Sequence, residues 1–427
     1  MQKLTGRVWA SFLVIGLIGQ FAWTIENMYF NVFLYNTIST DPDYIAAMVA
    51  ASAIVASITT LMVGAFSDRL GRRKVFIVVG NLLWGASLFA FGFVRVDLVA
   101  SMFPYADAVA TAAILVVILD CVMTFFGSSS NDAGFNAYVT DTTSPENRGR
   151  AESVLSILPL VSMLIIFGVF DPLTRNGQWQ LFFSIFGAAV SVSGILAIFL
   201  VKEKRRTPSS STFFRDILYG FSPSVVRANK GLYIALSTFC LFSIAVQVYM
   251  PFFIIYMQNY LKFDNYAIAL GIVLIAASAA SVVAGRFIDR IGKLRFLIPA
   301  AGVMIAGLIA LYFTRAFVPV ILSGIVMMSG YMILTATLSA MIRDFTPVEK
   351  AGHFQGIRMV FAVLLPMVIG PAVGSFAIKN SADTYTDLGV VKHVPTPSIF
   401  LASALVLLTI LVPIGIMMRR ARQEKAK

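Results

Sequence analysis

The sequence predicts an all-α membrane protein with 12 transmembrane helices in two pseudo-symmetric six-helix bundles. Three observations lead to this fold class: the composition, the number of long apolar runs, and two motifs that recur in both halves of the chain. Of the 427 residues, 58% are hydrophobic and 13% are charged, against roughly 25% charged residues in an average soluble domain. This composition excludes a soluble enzyme, a nucleic-acid-binding module and a disordered scaffold.

Twelve apolar runs are long enough to cross a bilayer, which takes about 20 apolar residues. The first run follows Lys3 and Arg7, but it is too long and too polar for a cleaved signal peptide, so we interpret it as a retained span. The longest polar segment predicts a cytoplasmic linker at 202–230, between an N-terminal six-helix bundle at 1–201 and a C-terminal six-helix bundle with a basic tail at 231–427. The runs lie at about 9–35, 45–66, 75–93, 108–138, 151–170, 181–201, 232–260, 266–288, 296–314, 319–342, 357–378 and 399–418.

The net charge of +12 is explained by where the basic residues lie. Alternate loops and both termini hold 27 of the 33 Lys and Arg residues. Because basic residues collect on the cytoplasmic side, this distribution predicts that both termini are cytoplasmic. We therefore expect a multi-pass protein of the cytoplasmic (inner) membrane, with the lipid bilayer and not a nucleic acid as the partner of its positive charge.

Two motifs recur at matching places in the two halves. GAFSDRLGRRK at 64–74 follows span 2, and GRFIDRIGKLR at 285–295 follows span 8 with an offset of 221 residues. A second pair, DTTSPE at 141–146 and DFTPVE at 344–349, follows spans 4 and 10. These repeats predict two halves of parallel topology, an arrangement in which substrate lies near the membrane midplane between the halves.

The pattern G-x-x-x-D-R-x-G-R-R-K closely resembles the signature loop of the major facilitator superfamily, and the resemblance extends over the whole chain. It implies the major facilitator fold and a gating role for this loop, which acts in the family as a charge latch at the cytoplasmic face. Arg148 and Arg150 are expected partners of the latch. The residues assigned to the gating motif are Gly64, Asp68, Arg69, Gly71, Arg72, Asp289, Arg290 and Gly292.

The residue types of this loop have a physical explanation. Gly64 predicts a close approach of helices, and Gly71 and Gly292 predict tight turns with positive φ. Asp68 and Asp289 can accept hydrogen bonds from helix N-termini and pair with neighbouring Arg side chains.

A weaker resemblance is to the sugar-transporting branches, the sucrose-type and the glycoside–pentoside–hexuronide carriers. It rests on the GQFAW sequence at 19–23 in span 1 and on a polar span 4 that runs into Asp141. These branches place a coupling aspartate in span 4, and Asp132 is the residue of this chain that best matches its position. Span 2 contains no acid between 45 and 66.

Acids inside a membrane span are costly and usually mark a pathway. Asp132 precedes Asp141 by nine residues, about 14 Å along a helix and therefore near the midplane. We predict that it carries a proton or binds substrate; the alternative is a structural acid bonded to neighbouring hydroxyls and amides. Asp120 lies about 31 Å before Asp141 along the helix, which predicts a partly solvated position near the outer surface.

Span 1 combines amides, an acid and a tryptophan, which together suit a site for a polyol. Adding the repeat offset to Glu26 gives Gln247 in span 7. No histidine lies mid-span, so a coupled proton would be carried by a carboxyl group, and we assign coupling to Asp132 and Glu26. The predicted substrate-binding residues are Gln20, Trp23, Glu26, Asn27, Asn31, Asn136, Gln247 and Tyr249.

The sequence therefore predicts a monomeric secondary active transporter that moves a sugar, a glycoside or a similar polar solute by alternating access, coupled to a proton or another cation. The sequence contains no ATP-binding motif of the form G-x-x-x-x-G-K-[ST], and no cofactor site is predicted. No metal cluster is predicted either, since the two Cys and two His residues lie in separate segments. The alternative is efflux of amphipathic drugs or lipids, which the 36 Phe and 18 Met residues would suit. A membrane enzyme or a receptor would need a catalytic group or an outer domain that the sequence does not contain.

Overall fold

The computed structural model describes residues 4–143, 147, 151, 154–202, 221–346, 354–381, 384–387 and 390–426. Within these residues, 11 helices are long and apolar enough to cross a membrane. A further helix, Tyr266–Ile291, is apolar over Tyr266–Ser281 and occupies the place of predicted span 8. The predicted all-α fold with 12 transmembrane helices is therefore confirmed.

Each predicted run corresponds to one helical span. The largest shift at the start of a span is in span 5, which was predicted to start at 151 and begins at Leu158, with a proline in its first turn. Proline fits this position because the first helical N–H groups have no partner within the helix. The twelve spans are Gly6–Thr37, Pro42–Leu70, Lys74–Phe91, Ala108–Thr142, Leu158–Arg175, Trp179–Leu200, Lys230–Tyr260, Tyr266–Ile291, Lys293–Phe313, Phe317–Phe345, Gly356–Lys379, and Ser398–Leu408 with Leu411–Ala426.

The chain forms two compact units, Met1–Ser211 and Thr212–Lys427. The boundary falls within the predicted linker at 202–230, of which 203–220 lies outside the described residues. The described end of the linker contains a short helix, Pro223–Ala228.

Aromatic packing and glycine contacts hold the N-terminal bundle together. Phe30 of span 1 stacks on Phe91 of span 3 with ring centroids 3.9 Å apart. Spans 3 and 6 cross at Gly85 and Gly187, where a Cβ added to Gly85 would lie 2.4 Å from the Gly187 carbonyl oxygen. A crossing this close is possible only without side chains, as is common between membrane helices.

In the C-terminal bundle, glycines also allow two pairs of helices to cross closely. Spans 9 and 10 meet at Gly307 and Gly330, and a Cβ on Gly307 would lie 2.3 Å from the backbone nitrogen of Met327. Gly370 and Gly374 of span 11 pack directly against the backbone of span 7. The G-P-x-x-G sequence at 370–374 is thus explained by helix packing.

Several spans contain a π-helical segment, in which each N–H bonds to the carbonyl five residues earlier. Such segments are rare and are frequent at functional sites. One contains Glu26 and the longest contains Asp132. The segments among the described residues are Ile25–Tyr29, Ser128–Phe135, Ile166–Phe170, Tyr256–Tyr260 and Val360–Leu364.

Two short elements between spans were not predicted. One is a helix at Val96–Met102. The other is an antiparallel hairpin of strands Thr384–Asp387 and Val390–His393, in the register Asp387↔Val390. The β-branched residues of both strands favour this conformation, and the two-residue connection is typical of hairpins.

Candidate functional site

Glu26 lies on span 1 within the N-terminal bundle, in the π-helical segment Ile25–Tyr29. Its side chain is almost entirely covered, since the residue is 8% exposed. The Thr124 hydroxyl of span 4 donates a hydrogen bond of 2.8 Å to Glu26 Oε1. Glu26 Oε2 is buried and has no hydrogen-bond partner.

Asp120 lies one helical turn before Thr124 and is 1% exposed. The Ser52 hydroxyl of span 2 lies beside its carboxyl group, and Asp120 Oδ1 has no hydrogen-bond partner. The predicted partly solvated position for Asp120 is therefore wrong. Distance along the helix axis places a residue relative to the membrane surface, but it does not say whether neighbouring helices cover the side chain.

Asp132 lies further along span 4, in the π-helical segment Ser128–Phe135, and is partly buried. The hydroxyl groups of Thr60 and Ser128 lie close enough to its carboxyl group to interact with it. Among the described residues, neither hydroxyl oxygen lies within hydrogen-bonding geometry of a partner. Asp120 and Asp132 both lie close enough to Glu26 to interact with it electrostatically, so the three acids form one group.

The spacing of span 4 explains how these side chains come to one side of the helix. In an α-helix, four residues exceed a full turn by about 40°, so the stripe rotates away from its starting face. In a π-helix, with about 4.4 residues per turn, four residues fall short of a turn by about 30°. The π-helical segment therefore turns the end of the stripe back. The residues of the stripe are Asp120, Thr124, Ser128 and Asp132.

No positive charge lies inside this group among the described residues. In spans 1 to 4, every described Lys and Arg lies at a span end: Arg7, Arg69 and Lys74. Burying a carboxylate without a counter-charge costs several kcal/mol. A proton or a bound cation would remove that cost.

A pair of tryptophans packs against span 4 at Gly127. The rings of Trp23 and Trp84 lie 5.1 Å apart. Trp84 is fully buried and its Nε1 has no hydrogen-bond partner. It fits against Gly127, where an added Cβ would come within 3.0 Å of the indole nitrogen.

The amides predicted to bind substrate are placed differently from one another. Asn31 is fully buried, donates to the Asn27 carbonyl oxygen at 2.9 Å, and has an unpartnered Oδ1. Gln20 is partly buried, whereas Asn27 and Asn136 are exposed on the N-terminal bundle. Asn27 follows Glu26 directly, so an exposed amide adjoins the buried acid.

In the C-terminal bundle, Gln247 and Tyr249 of span 7 occupy different surroundings. Gln247 is partly buried and packs against Gly370 of span 11. Tyr249 is 2% exposed, and its hydroxyl donates to Met327 Sδ at 3.4 Å. Tyr249 is therefore packed inside its bundle.

The gating motif is described in part. Gly71 and Gly292 have φ angles of 60° and 91°, as predicted for tight turns. An added Cβ at Gly64 would meet nothing within 4 Å, so the predicted close helix approach there is wrong. Arg69 and Arg72 are exposed. The side chains of Asp68, Asp289 and Arg290, and the predicted partners Arg148 and Arg150, lie outside the described residues.

An ion pair joins the two repeated motifs in each half. In the N-terminal bundle, Arg73 Nε lies 3.4 Å from Asp141 Oδ2, and the Arg73 guanidinium also donates to the Ser67 hydroxyl. In the C-terminal bundle, Lys293 Nζ lies 2.6 Å from Asp344 Oδ2. Both motifs were predicted from the sequence, but the ion pair between them was not. Its signal in the sequence is that the same two motifs follow each other in the same order in both halves.

Another buried acid of the N-terminal bundle, Asp171, is neutralised by its neighbours. Asp171 of span 5 is fully buried, accepts a hydrogen bond of 3.0 Å from Tyr29, and forms a 3.0 Å ion pair with Arg175. Tyr29 is the last residue of the π-helical segment that carries Glu26. This network connects span 1 to span 5 and fixes that end of the segment.

Among the described residues, no group of three or more His, Cys, Asp or Glu side chains is arranged to hold a metal ion. The three acids on spans 1 and 4 are therefore near one another without converging on one point.

The family model of the Major Facilitator Superfamily matches residues 12–371 and, in a second match, residues 262–427. The chain belongs to the Major Facilitator Superfamily. Membership of this family, together with the membrane-spanning helices, makes the chain a multi-pass membrane protein and indicates a transporter and not an enzyme. Among curated proteins, no sequence matches the chain.

Solved structures of two transporters share the Major Facilitator Superfamily fold with this chain. A mutant of the nucleoside transporter NupG is 14% identical, with a TM-score of 0.74, and the match covers 96% of this chain and 99% of that one. The xylose transporter XylE from E. coli, in a partially occluded inward-open conformation, is 13% identical, with a TM-score of 0.68 and coverage of 97% and 98%. At these identities the similarity concerns the fold.

Proposed function

We propose that the chain is a proton-coupled secondary transporter that carries a sugar, a nucleoside or a similar small polar solute across the cytoplasmic membrane by alternating access. The observation that carries this proposal is the buried acidic group of the N-terminal bundle. Its carboxyl oxygens include Glu26 Oε2 and Asp120 Oδ1, both without partners. Groups of this kind in a membrane span commonly belong to ion or substrate pathways.

The exposed amides support a polar solute. Asn27 and Asn136 lie at the surface of the N-terminal bundle, on membrane spans. The Asn27 side chain donates to the Trp23 carbonyl oxygen at 2.7 Å. The remaining polar atoms of both amides would be costly to expose to lipid, so this surface is best suited to an aqueous path. An amide offers both donors and acceptors to the hydroxyl groups of a sugar.

The neighbours in structure are consistent with this solute class. The two solved structures are those of a nucleoside transporter and of a xylose transporter. A nucleoside contains a pentose, so both solutes present a ring with several hydroxyl groups.

A thermal-shift screen of the detergent-purified protein tests the solute class. A ligand present at 100 times its Kd stabilises a protein by about 2.7 kcal/mol. We expect xylose, uridine or a disaccharide to raise the Tm, whereas ethidium and lysolipids leave it unchanged. Uptake of the stabilising solute into proteoliposomes, with a pH gradient or a sodium gradient imposed separately, then identifies the coupling ion. Stabilisation by ethidium or lysolipid alone would contradict the proposal.

The second candidate function is efflux of amphipathic drugs or lipids. It is favoured by the soft, apolar contacts of the C-terminal bundle, where hydroxyl groups donate to methionine sulfurs: Tyr249 to Met327, and Ser278 to Met332 at 3.7 Å. Methionine-rich surroundings adapt to varied apolar ligands. The same screen separates the two functions.

A further inference from the structure

Two carboxyl groups of the N-terminal bundle have the same hydrogen-bonding pattern. Glu26 accepts one hydrogen bond, from the Thr124 hydroxyl to Oε1, and its Oε2 has no partner. Asp120 has the Ser52 hydroxyl beside its carboxyl group, and its Oδ1 has no partner. Each acid therefore has a neighbouring hydroxyl group and one buried oxygen without a hydrogen-bond partner.

The two acids are also close to each other. Asp120 and Thr124 are four residues apart on span 4, a spacing that brings Cβ atoms to about 5–6 Å. Thr124 in turn donates a hydrogen bond to Glu26, and Asp120 lies close enough to Glu26 to interact with it electrostatically. Thr124 therefore contacts one acid and lies one helical turn from the other.

Among the described residues, the interior of spans 1 to 4 offers no positive charge to either acid, and spans 5 and 6, which pack against span 1, contribute Arg175, which pairs with Asp171. Spans 2 and 3 and the π-helical segment of span 4 pack against this part of span 4. Apart from the two acids, the titratable groups that these elements and span 4 present in the interior are Cys121, Asp132 and Tyr138, and none of them carries a positive charge. The described Lys and Arg residues of spans 1 to 4 lie at span ends, and no described His lies on these spans.

We propose that Glu26 and Asp120 hold a single proton between them, with Thr124 as the residue that positions the pair. One proton removes the repulsion between two like charges and leaves one carboxylate, to which the neighbouring hydroxyl groups can donate. The carboxyl group that carries the proton donates through its O–H to an oxygen that is otherwise unpartnered. This inference rests on the proposed function only for its role in transport, because protonation can be measured without a solute.

Infrared difference spectroscopy of the reconstituted protein, titrated with pH, tests the pair. The carbonyl stretch of a carboxylic acid is absent from carboxylates and amides, so Glu26→Gln, Asp120→Asn and the double variant report on the shared proton. We expect each single variant to keep one acid's band intensity at a changed frequency, because the remaining carboxyl retains the proton. The double variant loses that intensity.

Two results would overturn the inference. If each single variant lost half of the intensity that the double variant loses, the acids would hold two independent protons. If the double variant lost none, both would be ionised. Asp97→Asn is the matched control, because hydrogen bonds from Arg95 lower the pKa of this fully exposed carboxyl group, which lies outside the spans and has no acid band at pH 7 to lose.

A second pair of variants tests the positioning residue and does not depend on either acid being replaced. Thr124→Val removes the hydroxyl group that donates to Glu26, and we expect it to shift the frequency of the shared acid band. Thr124→Ser restores the hydroxyl, and the wild-type frequency should return. An unchanged band in Thr124→Val would show that the hydroxyl does not contact the protonated pair.

These spectra separate this inference from the transport proposal. If uptake proved to be independent of the pH gradient while the single variants kept the band, the pair would stand and proton coupling would fall. If uptake were proton-coupled while the acids titrated independently, the pair would fall and the proposed function would stand.

Discussion

At the scale of single residues, the sequence located two of the three acids of the candidate site with a stated role and misplaced the third. Glu26 and Asp132 stand out because they interrupt apolar runs. Asp120 does too, but its burial depends on which helices cover it, and one sequence does not contain that information. Asp120, Thr124, Ser128 and Asp132 follow one another at intervals of four residues. This spacing was a usable signal, because it extends the stripe of Ser128 and Asp132 by two further turns.

Asp132→Asn is expected to separate exchange from accumulation. Because the amide is nearly the same size as the acid but cannot carry a proton, counterflow exchange of the solute identified in the thermal-shift screen should stay within about twofold of wild type. Accumulation against a gradient should be lost, as measured in proteoliposomes with an imposed pH gradient.

Asp97→Asn, in the exposed helix between spans 3 and 4, provides the control. It should leave both the exchange and the accumulation of the solute unchanged. Normal accumulation by Asp132→Asn would remove this residue from the coupling mechanism and leave Glu26 and Asp120 as its acids.

At the scale of elements, helix existence was predictable and helix contacts were not. A run of apolar residues predicts a span, since the bilayer demands it, but it does not predict which glycine lies at a crossing. Gly64 was expected at a close approach and is open, whereas Gly307 was not singled out and is the more tightly packed position. Sequence alone could not distinguish these two glycines, because both lie in apolar surroundings.

Gly307→Val should destabilise the C-terminal bundle, because the new side chain would meet the backbone of span 10 at Met327. Overpacking typically costs about 1–3 kcal/mol, which corresponds to a fall of roughly 2–12 °C in Tm for a unit of this size. The measurement is thermal unfolding of the purified protein in detergent.

Gly302→Val lies on the same helix, where an added Cβ meets nothing within 4 Å, and serves as the matched control. Equal Tm values for the two variants would mean that spans 9 and 10 do not cross at Gly307.

At the scale of the whole molecule, composition and repetition were sufficient to predict the fold class and the family. Both follow from features that every part of the chain shares: apolar runs of one length and motifs in one order. The solute is not predictable in this way, because it depends on a few side chains whose arrangement differs between members with the same fold. The orientation in the membrane remains a prediction from the Lys and Arg distribution.

Cysteine labelling measures that orientation. With Cys121→Ser and Cys240→Ser as the background, a membrane-impermeant maleimide should label Tyr105→Cys in intact cells, since Tyr105 is 104% exposed in a loop that we assign to the outside. Gln423→Cys, near the exposed C-terminal end, should be labelled only after lysis. The opposite pattern would reverse the assigned topology.

The π-helical segments also affect how this chain is aligned with its relatives. Each such turn takes up one residue more than an α-helical turn, so a related chain without it is one residue shorter at that place. An alignment that forbids gaps inside membrane helices would then displace every position beyond the turn by one, and on a helix one position is about 100° of rotation. A one-residue gap at Ile25–Tyr29 or Ser128–Phe135 would keep both flanking segments in register.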